Sequence, residues 1–485
     1  MEEGGQRESV PLCVDLDGTL LRGDSLIESL WRMLRTDPLL LFLLPRWVGR
    51  GRAWFKGEIA NRVALDPAGL PYNEELLDFL RARATEGQPL YLVTASHIRP
   101  ARAVAEHLGL FDGVIATDGE RNLKGREKRD ELVRRFGERG FDYAGDSSAD
   151  LEVWPAARKA IVVNASAGSA RVARKLGDRA ADVIETPRRP LPIVVLEAMR
   201  IRQWVKNLLV LLPVALAHRV LEPTPLFHAL LAFVAFGLGA SAVYVLNDLL
   251  DLEADRHHPV KRKRPFAAGE LPLQAGLVLV PLLALPSLAI ALVLPRSFLL
   301  VLLLYFVLTT AYSFVLKEIA LVDVLLLASL YTLRIIAGAT ATEVLVSEWL
   351  LAFSMFIFLS LAALKRYAEL RRLRSQDNAE AKIEGRGYLA GDLELMVPMG
   401  MCSGYLAVLV LALYMSSDSV AQLYSRPVLL WFVCPLMLYW ISRVWLLAHR
   451  GQVEDDPLSF AVRDRTTWVV ALLSAGIVLA AAGVT

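Results

Sequence analysis

The sequence predicts a two-domain chain: an N-terminal α/β domain, built on a Rossmannoid parallel sheet with a helical cap, and a C-terminal all-α bundle of nine membrane-spanning helices. Two observations lead there. Over the first part of the chain, short apolar strands alternate with helical stretches, and each strand runs into acidic or hydroxyl residues. This is the pattern of a parallel sheet with helices on its faces. After about residue 205, apolar runs of roughly 18–20 residues recur, which is the length needed to cross a bilayer.

Bulk properties agree. The chain has 485 residues, room for two or three domains. Hydrophobic residues make up 55% of it and mean hydropathy is +0.41, high for a soluble protein. The net charge of +2 gives no reason to expect a nucleic-acid partner. Cys13, Cys402 and Cys434 are too far apart in sequence to suggest a metal or disulfide pattern. The first ten residues, MEEGGQRESV, lack the apolar core of a secretory signal, so the first domain is expected in the cytoplasm.

Pro11 to Leu20 reads PLCVDLDGTL. A short strand delivers Asp15 and Asp17, and Gly18-Thr19 turns the chain away. A second strand, Pro89 to Val93, ends in Thr94-Ala95-Ser96. A third, Phe141 to Ala144, leads into Gly145-Asp146 and, four residues on, Asp150. Ligands bind at the carboxyl ends of such strands, so these polar residues are expected to share one site.

The order DxDGT, strand-terminal Thr, Lys, GDxxxD resembles the haloacid-dehalogenase (HAD) phosphatase superfamily over residues 9–185. The resemblance implies that Asp15 is the nucleophile and that Asp17 protonates the leaving oxygen and later activates water. It implies that Thr94 holds a phosphoryl oxygen and Lys124 balances the anions, with Lys128 as the second candidate. Asp146 and Asp150, with Asp15 and Asp17, are implied as the Mg2+ site. Residues 24–85 fall where such proteins carry a cap. Within them, Asp37 to Phe55 is too short to span a bilayer. Its leucines, Trp47, Trp54 and arginines suit either an interfacial segment or a buried cap helix. Residues 185–192, ETPRRPLP, read as a linker. The expected division is a phosphatase domain 1–190, an entry segment 191–205 and a membrane domain 206–485.

Apolar spans are expected at 207–222, 226–246, 273–294, 297–316, 319–341, 347–364, 395–415, 427–447 and 467–484. Lysines and arginines crowd the connections after the second, sixth and eighth. The positive-inside rule then puts those connections and the N-terminus in the cytoplasm and the C-terminus outside, as in a multi-pass cell-membrane protein.

Asn247 to Pro265, NDLLDLEADRHHPVKRKRP, follows the second span. On a helix, Asp248, Asp251 and Asp255 share a face, with Asn247 beside Asp251. Three carboxylates so close repel unless a cation joins them. Magnesium held by carboxylates usually keeps a substrate phosphate in its shell. Lys261, Arg262, Lys263 and Arg264 suit the rest of a polyphosphate.

Together with RIRQWVKN before the first span, this motif resembles the UbiA superfamily of intramembrane prenyltransferases over residues 190–485. HPxKxxRPxAxG (258–269), YSFVLK (312–317), LKRYAEL (364–370) and DPLSFAVRDR (456–465) resemble most its decaprenyl-phosphate phosphoribosyltransferase branch. That branch joins a polyprenyl phosphate lipid to phosphoribosyl diphosphate. The resemblance implies Mg2+ on Asp248, Asp251 and Asp255. It also implies substrate contacts from Arg202, Lys206, Asn207, Tyr244, Asn247, Lys261, Arg262, Arg264, Lys317, Asp323, Arg334, Lys365, Arg366 and Asp464. Aromatic prenyltransferases carry a second Asp-rich motif where this chain has Lys365-Arg366, which argues for an anionic rather than a neutral acceptor. Asp323 and Arg334, three turns apart, are expected either to face a cavity or to pair and lock helices. Tyr244 and Tyr312 are ligands or interfacial aromatics. An upstream phosphatase fits removal of the 5-phosphate from the lipid product. The alternatives are an aromatic prenyltransferase, or a non-catalytic first domain. A homo-oligomer is compatible with the sequence.

Overall fold

The computed structural model describes residues 10–118, 122–164, 180–187, 189–374, 386–417, 420, 424–453 and 457–483. Asp456, the first residue of the last motif quoted above, lies outside them. The chain forms two compact units. One comprises residues 1–199 and 245–279, the other 200–244 and 280–485.

The first unit is built on six parallel strands: β1 (Leu12–Val14), β2 (Leu90–His97), β3 (Gly113–Thr117), β4 (Asp142–Gly145), β5 (Ala160–Val163) and β6 (Ala180–Ile184). Their order is β3-β2-β1-β4-β5-β6. β1 is central, with Leu12 level with Leu90 on one side and Asp142 on the other. Successive side chains on a strand point to opposite faces. Leu12 and Val14 accordingly join one core with Leu76, Leu80 and Val104, and Cys13 joins the other with Leu132, Phe141 and Trp154. A sheet buried on both faces needs such all-apolar strands.

Helices α1 (Ser25–Thr36), α2 (Leu44–Val48) and α3 (Arg52–Arg62) lie between β1 and β2 in the chain. Then follow α4 (Glu74–Thr85), α5 (Ile98–Leu108) and α6 (Arg126–Phe136). The Asp24 side chain caps α1, accepting from the amides of Leu26 and Ile27 at 2.9 and 3.3 Å, which satisfies donors the helix start leaves open. The Asp37–Phe55 stretch divides between the two expectations for it. Trp47 is buried against Met33 and Ile59. Leu39 and Phe42 stand 72% and 78% exposed, beside the exposed Arg46 and Arg50.

The remaining helices are α7 (Leu191–Ala198), α8 (Leu212–Leu216), α9 (Pro223–Leu250), α10 (Leu252–His257), α11 (Leu273–Val293), α12 (Arg296–Phe314), α13 (Val322–Thr342), α14 (Glu348–Arg374), α15 (Leu393–Met415), α16 (Val433–His449), α17 (Pro457–Arg463) and α18 (Arg465–Ala482). Among the described residues, eight helical segments are long and apolar enough to cross a membrane, against nine expected spans. The difference lies at 207–222. That stretch is a 3₁₀ run, Ile201–Leu211, followed by the short α8. Pro213 lacks the amide needed to carry an α-helical ladder through the junction. At about 2.0 Å per 3₁₀ residue and 1.5 Å per α residue, these two pieces still reach roughly 30 Å.

Candidate functional site

The first constellation lies at the carboxyl ends of β1 and β4, where the strand order reverses, the usual ligand position in such sheets. Asp15 follows β1, Asp146 follows β4, and Asp150 lies in the 3₁₀ turn Ser148–Glu152. Each offers an oxygen within 4.8 Å of the other two, and among the described residues they are the group able to hold a metal ion. Two glycines make this approach possible. A Cβ on Gly18 would stand 2.5 Å from Asp146 Oδ2, and its φ of +81° is one that side-chain-bearing residues avoid. A Cβ on Gly145 would stand 2.7 Å from the Asp150 carboxyl carbon.

The lysine at this site is Lys128, not Lys124. Lys128 Nζ lies 2.9 Å from Asp15 Oδ1 and 3.8 Å from Asp150 Oδ1, and it donates to Tyr143 Oη at 2.9 Å. Lys128 and Leu132, four residues apart on α6, share the buried face of that helix. Lys124 precedes the helix and its side chain is exposed. Tyr143, which the sequence did not single out, donates to Asp150 Oδ1 at 2.7 Å, and Ser147 holds Oδ2 through its amide and hydroxyl. Thr19 donates to Asp146 at 3.2 Å.

Asp17 is held separately. The Ser25 amide donates to its Oδ1 at 2.7 Å and the Ser96 hydroxyl to its Oδ2 at 2.6 Å. Thr94 is buried, and its hydroxyl accepts from the Ser96 amide at 3.0 Å. Lys56, from α3, donates to the Ala95 carbonyl at 2.7 Å and Asn122 Oδ1 at 3.1 Å.

Burial pushes the Asp15 carboxyl up to about 7, with Asp150 and Asp17 adding to the rise and Lys128 opposing it. Burial and Asp150 push Asp146 up to about 6. Burial alone would lower Lys128, but Asp15 and Asp150 outweigh it and hold the ammonium above its ordinary range. One ammonium thus faces several crowded carboxylates, a donor set that fits a divalent cation.

The acidic segment also belongs to the first unit. It is not one continuous helix. α9 ends at Leu250 and α10 starts at Leu252, with Asp251 at the junction (φ −90°, ψ 11°). Hydrogen bonds from Asp251 N to Asn247 O and from Asp255 N to Asp251 O, both 2.8 Å, still bridge the break. Asp248 and Asp255 are buried, while Asn247 and Asp251 are half-buried. Arg264 reaches back to both buried acids, 3.2 Å from Asp248 Oδ1 and in direct contact with Asp255 Oδ2. Burial raises the Asp255 carboxyl against the pull of Arg264. Here the positive charge between the two buried acids is the Arg264 guanidinium. Arg264 is therefore committed to these carboxylates, whereas Lys261 and Arg262 stay exposed.

Within the second unit, two buried clusters form. Asp323 pairs with Arg366 and, at 3.0 Å, with Arg386. Tyr312 donates to Asp323 Oδ1 at 2.7 Å, and Arg366 also pairs with Glu369. Arg334 donates from Nε to Asn207 Oδ1 at 3.0 Å and from Nη1 to the Leu330 carbonyl at 2.6 Å. It also lies over the rings of Phe236, Tyr305 and Tyr331. Lys206 Nζ sits 5.8 Å from the Tyr331 ring centroid, and the Arg200 guanidinium 5.1 Å from that of Tyr244.

These clusters bear on two expectations. Asp323 and Arg334 are not a pair, because eleven residues of α13 separate them by about 16 Å and each finds a nearer partner. Arg366 is consumed by Asp323 and Glu369 and is not a free phosphate ligand. Asp464 caps α18, accepting from the Thr467 amide at 2.9 Å, and takes both Nη groups of Arg443 at 2.7 and 3.0 Å. Arg202 is exposed, and Lys317 and Lys365 are half-buried. Arg386 and Tyr305 were missed because no local motif marks them.

Comparison with known proteins adds to this geometry. The haloacid dehalogenase-like hydrolase family pattern matches residues 12–154, and that of the UbiA prenyltransferase family matches residues 207–469. A Sinorhizobium fredii protein designated y4nM is 40% identical over 481 residues, covering 97% of this chain and 91% of its own. Nodulation protein NoeC of Azorhizobium caulinodans is 38% identical over 285 residues, 58% of this chain and 91% of its own. The decaprenyl-phosphate phosphoribosyltransferase of Mycobacterium tuberculosis is 35% identical over 296 residues, 60% of this chain and 95% of its own. With its eight membrane-length helices and its upstream parallel-sheet unit, the chain is a multi-pass membrane enzyme of the UbiA prenyltransferase family that carries a haloacid dehalogenase-like hydrolase domain on the same polypeptide.

Proposed function

We propose that this chain transfers 5-phosphoribosyl from phosphoribosyl diphosphate to a polyprenyl phosphate, of decaprenyl type, and then removes the 5-phosphate to leave polyprenylphosphoryl ribose, a precursor for cell-wall arabinan. The observation that carries the reading is the pairing on one chain of an assembled Asp15–Lys128–Asp146–Asp150 site with a second half similar to the mycobacterial phosphoribosyltransferase.

In the transfer step, a phosphate oxygen of the lipid attacks the anomeric carbon and the bond to diphosphate breaks. Asp248, Asp251 and Asp255 would hold Mg2+, which when bound neutralises charge on the leaving diphosphate. Lys261 and Arg262 supply further positive charge. Arg264 keeps the acids converged. In the hydrolytic step, Asp15 attacks the 5-phosphoryl group and the phosphorus–oxygen bond to ribose breaks. Asp17, oriented by the Ser25 amide and the Ser96 hydroxyl, gives its proton to the departing ribose oxygen. Water then attacks the phosphorus, Asp17 takes its proton, and inorganic phosphate leaves. Lys128 balances charge throughout, while Asp146 and Asp150 would hold the Mg2+ of this site. Both sites act on the cytoplasmic side in this reading.

The test is incubation of the full-length protein in lipid with radiolabelled phosphoribosyl diphosphate and polyprenyl phosphate. Labelled polyprenylphosphoryl ribose, diphosphate and inorganic phosphate are the expected products. Turnover of an isoprenyl diphosphate with 4-hydroxybenzoate, and none with phosphoribosyl diphosphate, would replace this reading with aromatic prenyl transfer.

A further inference from the structure

Helix α1 connects two features of the first unit that chemistry alone would not relate. At its N-terminus, the Ser25 amide holds Asp17 and the Ser25 hydroxyl donates to Ser96 Oγ at 2.8 Å. One turn on, Glu28 receives two hydrogen bonds from Arg256, at 3.0 and 2.7 Å. Both side chains are more than nine-tenths buried. Another turn on, Trp31 Nε1 donates to the Leu249 carbonyl at 2.8 Å, and Arg32 pairs with Glu253 at 3.1 Å. Positions 28, 31, 32 and 35 share one helix face.

The partners on the other side are equally specific. Leu249 follows Asp248 directly, and its carbonyl lies in the last turn of α9, where carbonyls lack intrahelical donors. Arg256 follows Asp255 directly. One face of α1 therefore grips the acidic segment next to two of its carboxylates, on either side of the break at Asp251. A two-pronged buried pair is geometrically demanding, and removing one partner strands the other.

We propose that Glu28, Arg256 and Trp31 are positioning residues for transfer: α1 of the hydrolase domain holds the Asp248–Asp255 segment in its diphosphate-binding conformation. The first domain then has a second role, independent of its own hydrolysis. The consequence for activity rests on the transfer reading above; the consequence for the segment's order does not.

The test uses full-length protein in lipid nanodiscs, as wild type, Glu28→Gln, Trp31→Phe and the exchange Glu28→Arg with Arg256→Glu. Three quantities are measured: metal-free amide hydrogen exchange over residues 245–258, the KM for phosphoribosyl diphosphate, and hydrolysis of p-nitrophenyl phosphate. Glu28→Gln should speed exchange over 245–258 and raise that KM by about tenfold, with p-nitrophenyl phosphate hydrolysis within about twofold of wild type. The exchanged pair should recover the slow exchange. Trp31→Phe, which deletes one indole N–H, should show a smaller change in the same direction, and it decides the matter if Glu28→Gln fails to fold. Unchanged exchange over 245–258 in Trp31→Phe and in folded Glu28→Gln overturns the proposal. Absence of transfer by wild type, with exchange still responding, overturns the transfer reading instead.

Discussion

The Lys128 ammonium lies 2.9 Å from Asp15 Oδ1 and 3.8 Å from Asp150 Oδ1, inside a wall formed by Tyr143. It is the one cation seen touching the nucleophile candidate among the described residues. Lys128→Ala should therefore lower p-nitrophenyl phosphate hydrolysis by at least about a hundredfold, and Lys124→Ala should leave it within about twofold. The reverse pattern would show that the loop lysine moves in when substrate binds.

Asp15→Asn should separate the two proposed reactions. The amide is a poor nucleophile and also removes a carboxylate from the metal set. Diphosphate release should continue, inorganic phosphate release should stop, and the 5-phosphorylated lipid should accumulate in mass spectra of the extracted lipids. Identical lipids from wild type and variant, with no free phosphate from wild type, would mean that the hydrolase domain acts on something else.

Asp248→Asn or Asp251→Asn should cut transfer by at least about a hundredfold, since each removes a ligand of the charge-neutralising metal. Near-normal transfer by both would end the metal assignment.

Arg264→Gln leaves Asp248 and Asp255 buried without their shared guanidinium. Melting of the detergent-solubilised variant should become dependent on Mg2+, because a bound cation then relieves the two carboxylates. Wild type, with Arg264 in place, should respond less. Equal Mg2+ dependence in both would show that Arg264 does not neutralise these acids.

Asp323→Ala strands Arg366 and Arg386 inside the helical unit. Removing one partner of such a buried network costs about 3–5 kcal/mol, read as a lowered melting temperature. Lys365→Ala should instead raise the KM for the lipid phosphate or for phosphoribosyl diphosphate with little loss of stability. A KM change without destabilisation in Asp323→Ala would return Asp323 to the substrate site.

Much of this protein is legible in the order of its residues. The strand alternation, DxDGT and GDxxxD placed Asp15, Asp146 and Asp150 at neighbouring strand ends, because a parallel sheet lines up its carboxyl termini whatever its loops do. The apolar runs placed eight long helices, because bilayer thickness sets their length. Tertiary structure alone decided which lysine meets Asp15, since Lys124 and Lys128 differ only in which one shares a helix face with buried Leu132. It also decided that Arg264 closes on Asp248 and Asp255, that Arg366 is spent on Asp323, and that Arg334 goes to Asn207. A buried charge takes the nearest partner that packing delivers, and that partner lies 9 to 127 residues away in these cases. No local pattern encodes such distances. The grip of Glu28 on Arg256, across 228 residues, belongs to the same class.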